Sequence, residues 1–503
     1  MITNQKHIEY CQRYKRVRDV IDGQFRLRQV DLARIGITNE ARKNVLLNCN
    51  TGYLRLINPS DTSDYNKNKN MGMINGAVLF NASARTLSGL MGLLFRSDPR
   101  WPEFTGGMDY LLKDADGAGL SLDHQAQLVS WNVTQVGRHG LLADMPRNEK
   151  GESVTLDRVR RGYRASIKQY SAENIVDYHE SVVDGAKVLD LLILREYKTV
   201  WNDNKIDRTE EEVFRAYRLD DDVVTVQMYD KAMTATSEEI PIIAGGSESL
   251  DRIPFVFVGS VNNNPDYDPL PLEVLVDTNI GHYQESANLR VSSWDTSAAQ
   301  PYIADDGYLS HKRRDEEKGK AVEVGSDIVH IMGTGGVYGF AQPSPNSLSS
   351  DLMAKDELRM VALGAQLITA SGQAETAEAV RIKHGSDVSV LESISINVAD
   401  AYMKMFEYCH KLMGIAYDDL ATALNREFFD SKLTAQEVTA IVGAWQAGAI
   451  SEMEKSIALQ KGKIISEDTD LEEMHEQIQD EQVPAPQFDE VIPSTVTTTN
   501  EEQ

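Results

Sequence analysis

Apolar residues recur every three or four positions in several long stretches of this chain, and one block between them has the shorter period of strands. Near the start, Cys11, Tyr14, Val17 and Ile21 share a helical face, and Asp22-Gly23 ends the segment. A second helix is predicted across Met73–Phe95, with Ala77, Phe80, Ala84, Leu87, Met91 and Leu94 on its apolar face and Ser97-Asp98-Pro99 closing it. A third runs from about Ser121, its N-cap, to Gly137. From Lys187 to Ser260 the runs VLDLLILREYKTV, VFRAYRL, VVTVQMYD and IPFVFVGS predict an antiparallel block, with turns such as Asp220-Asp221-Asp222.

Helical spacing returns after the loop NNNPDYDPLP. Over about 270–298, Leu272, Val276, Ile280, Tyr283, Ala287, Val291 and Trp294 form one stripe on a helix roughly 40 Å long. Residues 301–346 read as irregular and short-stranded, and a further helix covers about 349–367. A soft loop, Thr369-Ala370-Ser371-Gly372-Gln373, precedes a third helix over about 375–413. Its stripe is Val380, His384, Val388, Leu391, Ile394, Val398, Met405, Cys409 and Leu412. Capping boxes at Thr434–Glu437 and Ser451–Glu454, with stops at Gly448 and Gly462, predict a small helical module. Beyond Ser466 there is no Lys or Arg, and the acidic tail is expected to be disordered. The fold class that follows is α+β, mainly helical.

Composition narrows the role. A hydrophobic content of 41% and a charged content of 25% are those of a soluble globular chain, and 503 residues leave room for several subdomains. The net charge of −26 repels phosphate, so DNA could pass this surface but would not be gripped by it. Cys11, Cys49 and Cys409 are far apart and form no C-x-x-C, which argues against a disulfide framework or zinc site and suits a reducing compartment. The polar start predicts no signal peptide, and the apolar window Val78–Phe95 is interrupted by Asn81 and Arg85, so no membrane span is expected.

Catalytic signatures fail on spacing. Gly333–Gly339 (GTGGVYG) would need glycine at Tyr338 to match a dinucleotide loop, and PSPN follows where a helix should open. Asp114–Gln125 begins like a calcium loop, but Ala118 and Gln125 occupy ligand positions, so a turn leading to Ser121 is expected. Phosphate-loop, zinc-protease and serine-hydrolase motifs are missing. No catalytic residue, metal or cofactor is therefore assigned. The cluster His311–Lys320, with Lys312, Arg313, Arg314, Lys318 and Lys320, is either a solvated loop tip or a docking surface for an acidic or nucleic-acid partner.

Several segments in fixed order carry a resemblance: RVRDVIDG, YLRLINP, FNASARTLSGLMGLLFRSDP, DADGAGLSL, GRHGLLADMP, LVDTNIGHYQESANLR, LRMVALGAQLI and ETAEAVRIKHG. Together they span Arg16–Gly414, and the chain resembles bacteriophage portal (head–tail connector) proteins, in a branch catalogued as a domain of unknown function. That resemblance implies a wing over 1–268, a first stem helix over 269–300, a clip over 301–346 and a second stem helix over 347–368. It further implies a tunnel loop over 369–374, with Thr369, Ala370, Ser371, Gly372 and Gln373 facing DNA, then a long wing helix over 375–416, a crown over 417–465 and a tail over 466–503.

The implied protein is no enzyme. It is a ring, dodecameric by resemblance, at the capsid vertex of the virion, assembled in the host cytoplasm. Double-stranded DNA crosses it without sequence specificity during packaging and ejection. Its implied partners are the large terminase subunit, head–tail adaptor or neck proteins, and the major capsid and scaffolding proteins. Lys312, Arg313, Arg314, Lys318 and Lys320 would serve clip docking. Leu272, Val276, Ile280, Tyr283, Val291 and Trp294 would form the contact between subunits, because so long an apolar stripe is unusual on a monomer surface. The residue pattern also leaves room for another virion component such as an adaptor, usually much shorter, and for a metal-dependent DNA-processing enzyme.

Overall fold

The computed structural model describes residues 4–35, 52–104, 106–146, 164–183, 185–201, 207–245, 250–297, 300–304, 337–341, 347–367, 389–417, 435–446 and 449–461, with a few single positions beyond. Two compact units divide the chain, Met1–Arg426 and Glu427–Gln503.

The larger unit begins with α1 (Gln5–Asp22) and α2 (Gln24–Arg34), separated by Gly23. The Asn4 side chain caps α1 by accepting from the His7 N–H at 3.1 Å. The apolar window predicted as one helix is instead two, α3 (Asp64–Gly76) and α4 (Ala82–Leu94). Ala77 turns extended and Asn81 starts a new helix by accepting from the Ala84 N–H at 3.2 Å. Phe80, placed on the buried face by periodicity, lies in the break and is 46% exposed.

A single turn, α5 (Tyr110–Lys113), leads through the loop at Asp114 to α6 (Leu122–Val136). That loop is the expected turn: Asp114 accepts from the Gly119 N–H at 2.7 Å and Asp116 from the Ala118 N–H at 2.8 Å. Arg164 reaches the second Asp114 oxygen at 2.6 Å, supplying a protein cation to the carboxylate. Ser121 caps α6, and Gly137 ends it in the left-handed region at φ 73°. A side chain there would meet the Pro269 carbonyl 2.6 Å from its Cβ, so only glycine fits.

Strands β1 (Arg138–Asp144) and β2 (Ser166–Ser171) follow, then β3 (Ile175–Val183), β4 (Ala186–Trp201), β5 (Arg208–Asp220), β6 (Val223–Tyr229), β7 (Ile240–Pro241) and β8 (Phe255–Gly259). Two antiparallel sheets result: β2-β1-β8, and the meander β3-β4-β5-β6-β7. The meander is the predicted block, and its β5–β6 turn puts Asp221 and Asp222 at positive φ. IPFVFVGS does not close that meander; it becomes β8 and pairs with β1 in the other sheet.

The remaining elements of this unit are α7 (Glu273–Ser297), the ribbon β9 (Gln300–Ala304) with β10 (Val337–Ala341), α8 (Leu348–Gln366) and α9 (Val390–Met413). The expected start of α9 near residue 375 lies outside the described residues. Within them, Leu391, Ile394, Val398, Met405, Cys409 and Leu412 are buried as predicted. Helices α6 and α9 both lie against the sheet containing β1 and β8, and Trp101 and Phe104 meet Tyr402 and Phe406 edge-on to fill the core. The chain is α+β and mainly helical.

In the smaller unit, α10 (Ala435–Gln446) and α11 (Glu452–Lys461) form a helical pair. The Ser451–Glu454 capping box is present: the Ser451 N–H donates to the Glu454 carboxylate at 2.8 Å, and Ser451 Oγ accepts from the Glu454 N–H at 3.2 Å. Thr434, Gly448, Gly462 and almost all of the acidic tail lie outside the described residues.

Candidate functional site

The pair α7 and α8 is where sequence reasoning placed the function, and the two helices differ sharply. Along α7, Leu272, Val276, Ile280, Tyr283 and Ala287 are all buried, covered by α1, α3 and α4 of the same chain. The expectation that Leu272, Val276, Ile280 and Tyr283 form a surface between subunits is therefore corrected: these side chains are spent on the chain's own core. Periodicity showed an apolar face but could not show what covers it. Val291 is half-buried, and the Trp294 side chain lies outside what is described.

Polar side chains also tie α7 to the rest of the chain. Asn279 Nδ2 donates to the Phe80 carbonyl at 2.6 Å, while its oxygen accepts from Ser83 N–H and Oγ at 3.2 and 3.0 Å. Ser286 Oγ accepts from the Val78 N–H at 3.0 Å. These bonds satisfy backbone groups left free by the break between α3 and α4, which is why that break is stable. At the start of the helix, Arg13 Nε donates to Glu273 at 2.7 Å and Arg16 pairs with Asp277 at 2.9 Å. The hydrogen bond to Glu273 holds the Arg13 guanidinium further above its usual range, and burial moves the Asp277 carboxyl up.

Below α7, Asp31 is fully buried and accepts from the Tyr53 and Leu54 N–H groups at 2.7 and 3.2 Å. Burial pushes its carboxyl up to about 6, against the opposing effect of those two N–H groups and Arg34. Tyr283 lies near this carboxylate, and burial first, then Asp31, raises its phenol.

Helix α8 is the opposite case. Met360 is its single buried residue among those described, whereas Leu358 and Val361 are 74% and 73% exposed. With Ala354 and Ala365, also exposed, they form a stripe at helical spacing about 16 Å long. The stripe is centred about 130° around the helix from Met360, so it points away from the face buried in this chain. Leu348, Leu352, Lys355 and Arg359 occupy a third, exposed side. The α8 stripe was missed in the sequence because α7 carries a longer one; the missed signal was the i, i+4, i+7, i+11 spacing of Ala354, Leu358, Val361 and Ala365.

Charge on the pair is sparse and acidic: four acids against one arginine on α7, three against two cations on α8. Among the described residues no group of three His, Cys, Asp or Glu side chains is placed to hold a metal ion, and no helix is long and apolar enough to cross a membrane. In the ribbon, Tyr302 faces Gly339 in register, and Tyr302 and Phe340 are exposed. Lys312, Arg313, Arg314, Lys318 and Lys320, and the loop Thr369–Gln373, lie outside the described residues.

Residues 271–413, which take in α7, the ribbon, α8 and α9, match the sequence profile of a family described as Domain of unknown function (DUF4055), less than a third of the chain. No curated protein matches the chain. Among solved structures, it is similar to a chain of "Neck of native GTA particle computed with C12 symmetry", with 11% identity, a TM-score of 0.37, and coverage of 75% of this chain and 89% of that one. A chain of "Neck of empty GTA particle computed with C6 symmetry" gives 12% identity and a TM-score of 0.35, covering 75% and 88%. Likeness of this degree bears no weight on function.

Proposed function

We propose that the chain is a virion structural protein of the portal type, whose copies close into a ring around a channel for double-stranded DNA at the capsid vertex. The observation that carries this reading is the exposed stripe Ala354, Leu358, Val361 and Ala365 on α8. A helix with so little buried and two large apolar side chains nearly bare has an incomplete environment, and such surfaces mark interfaces. Its aim away from the buried face leaves it open to a neighbouring copy, and a repeated contact between identical copies closes into a ring. The sequence resemblance supports the same assignment of α7 and α8 as stem helices.

In this reading the acidic pair gives moving DNA few phosphate contacts, so DNA slides without being held. Thr369–Gln373 serves as the tunnel loop, and Lys312, Arg313, Arg314, Lys318 and Lys320 dock the packaging motor or a neck protein at the clip. No step requires a catalytic residue of this chain. Electron microscopy of the purified protein tests the proposal: rings with a central hole support it, and a stable monomer at micromolar concentration in packaging-like salt overturns it.

A further inference from the structure

Arg138, at the start of β1, is only 2% exposed, and the portal reading has no use for its charge. Its Nη1 donates to the Pro265 and Asp266 carbonyls at 2.5 and 3.0 Å. The rings of Tyr267, Phe257 and Tyr178 surround the guanidinium, their centroids 4.4, 4.6 and 5.2 Å from its carbon. Its Nε and Nη2 are buried without a hydrogen-bond partner. These two nitrogens carry the parallel N–H bonds along one edge of the group, the fork that takes a carboxylate or another anion. Ring faces answer the plane of the cation and leave the hydrogens of that edge unmet.

Two phenols beside it are unmet in the same way. Tyr14 on α1 is fully buried, and its hydroxyl and that of Tyr267 both lack a hydrogen-bond partner. Tyr10 bridges them, its ring 5.9 Å from that of Tyr14 and 4.6 Å from that of Tyr267. Burial raises both phenols, with Arg138 the foremost charge acting on each, so both keep their protons and can donate. The carboxylates of the neighbourhood are engaged elsewhere: Glu173 with Arg18, Glu273 with Arg13, Glu180 with Lys187, and Asp177 with the Asn4 amide at 2.8 Å. The Asp266 side chain is exposed, and among the described residues no carboxylate pairs with Arg138. Two further cations make the field more positive, Lys6 at 5.2 Å from the Tyr267 ring centre and Arg13 at 4.6 Å from that of Tyr10.

We propose that the Nε–Nη2 edge of Arg138, with the hydroxyls of Tyr14 and Tyr267, holds a buried small monovalent anion. A charge this deep is costly unless an opposite charge meets it, and arginine does not give up its proton in a protein. Water would occupy the same donors and leave the charge unbalanced, whereas an anion answers both. Because all four donor atoms are shut off from solvent, the ligand is of the size of chloride or nitrate, and a side chain of another protein is excluded. Bound there, the anion ties α1 and β1 to the loop that leads into α7. The site goes beyond the portal reading and does not depend on it.

Thermal unfolding of the full-length protein tests it, with sodium chloride replacing sodium gluconate at fixed ionic strength. The wild-type midpoint should rise by about 1–3 °C between no chloride and about 200 mM chloride. Tyr14→Phe combined with Tyr267→Phe keeps both rings, removes two of the donors, and should cut that rise by more than half. The general effect of exchanging one salt for the other acts on both proteins alike, so the difference between them belongs to the site. As a second measurement, a wild-type crystal grown in bromide should show an anomalous peak within hydrogen-bond distance of Arg138 Nε and Nη2. No chloride dependence in the wild type, an equal rise in the double variant, or a bromide crystal with only water at that edge overturns the proposal.

Discussion

Helices α7 and α8 lie side by side with opposite relations to solvent. The first spends its apolar stripe and its polar side chains on the body of its own chain, while the second leaves Leu358 and Val361 bare. The longer and more regular stripe is the one already covered. Hydrophobic length in a sequence therefore measures how much a helix must bury, and only the structure tells which surface remains to be covered by something else.

The comparison breaks first under core truncation. Ile280→Ala or Tyr283→Ala on α7 should cost about 2–5 kcal/mol, read as a large fall in thermal midpoint, because each leaves a cavity. Leu358→Ala on α8 should cost less than about 0.5 kcal/mol in the isolated subunit, since the side chain is already in water. Equal costs at the two positions would erase the distinction.

Next is the wiring between α7 and the break before α4. Asn279→Ala removes one of the two donors to the Phe80 carbonyl and the side-chain acceptor of the Ser83 N–H, and should cost about 1–3 kcal/mol by denaturant unfolding. Asn279→Asp should be nearly as harmful, because a carboxylate cannot donate to that carbonyl.

A smaller effect comes from Asp31 beneath Tyr283. Its folded carboxyl is raised from 3.8 to about 6, so the folded state holds the proton more tightly than the unfolded one. Stability should rise as pH falls from 7 through 6 toward 4, by at most about 3 kcal/mol. Asp31→Asn keeps an acceptor for the Tyr53 and Leu54 N–H groups and should flatten that dependence. A melting curve series from about pH 4.5 to about pH 7.5 with the same slope in both proteins would reject this account.

These regions also show what could be read from the sequence. Helix α6 was fully legible, since Ser121 and Gly137 act within a few residues of where they stand. The meander was legible from its β-branched and aromatic runs, and its turn from three consecutive aspartates. The break at 77–81 was not: local spacing runs on through it, and the groups that stabilise it, Asn279 and Ser286, are some two hundred residues away. Strand β1 was missed because six of its seven residues are buried, so no polar alternation marks it. The candidate site was legible as a pair of helices, but not as to which helix is free.

The central claim is that the free side of α8 joins one copy to the next. The most direct test is particle mass at micromolar concentration for the wild type and for Leu358→Asp with Val361→Asp, together with the thermal midpoint of each. The account predicts a ring-sized particle for the wild type and a monomer for the double variant, with the variant subunit folded and melting cooperatively. Ring-sized particles from the double variant, or a wild type that stays monomeric, would contradict it.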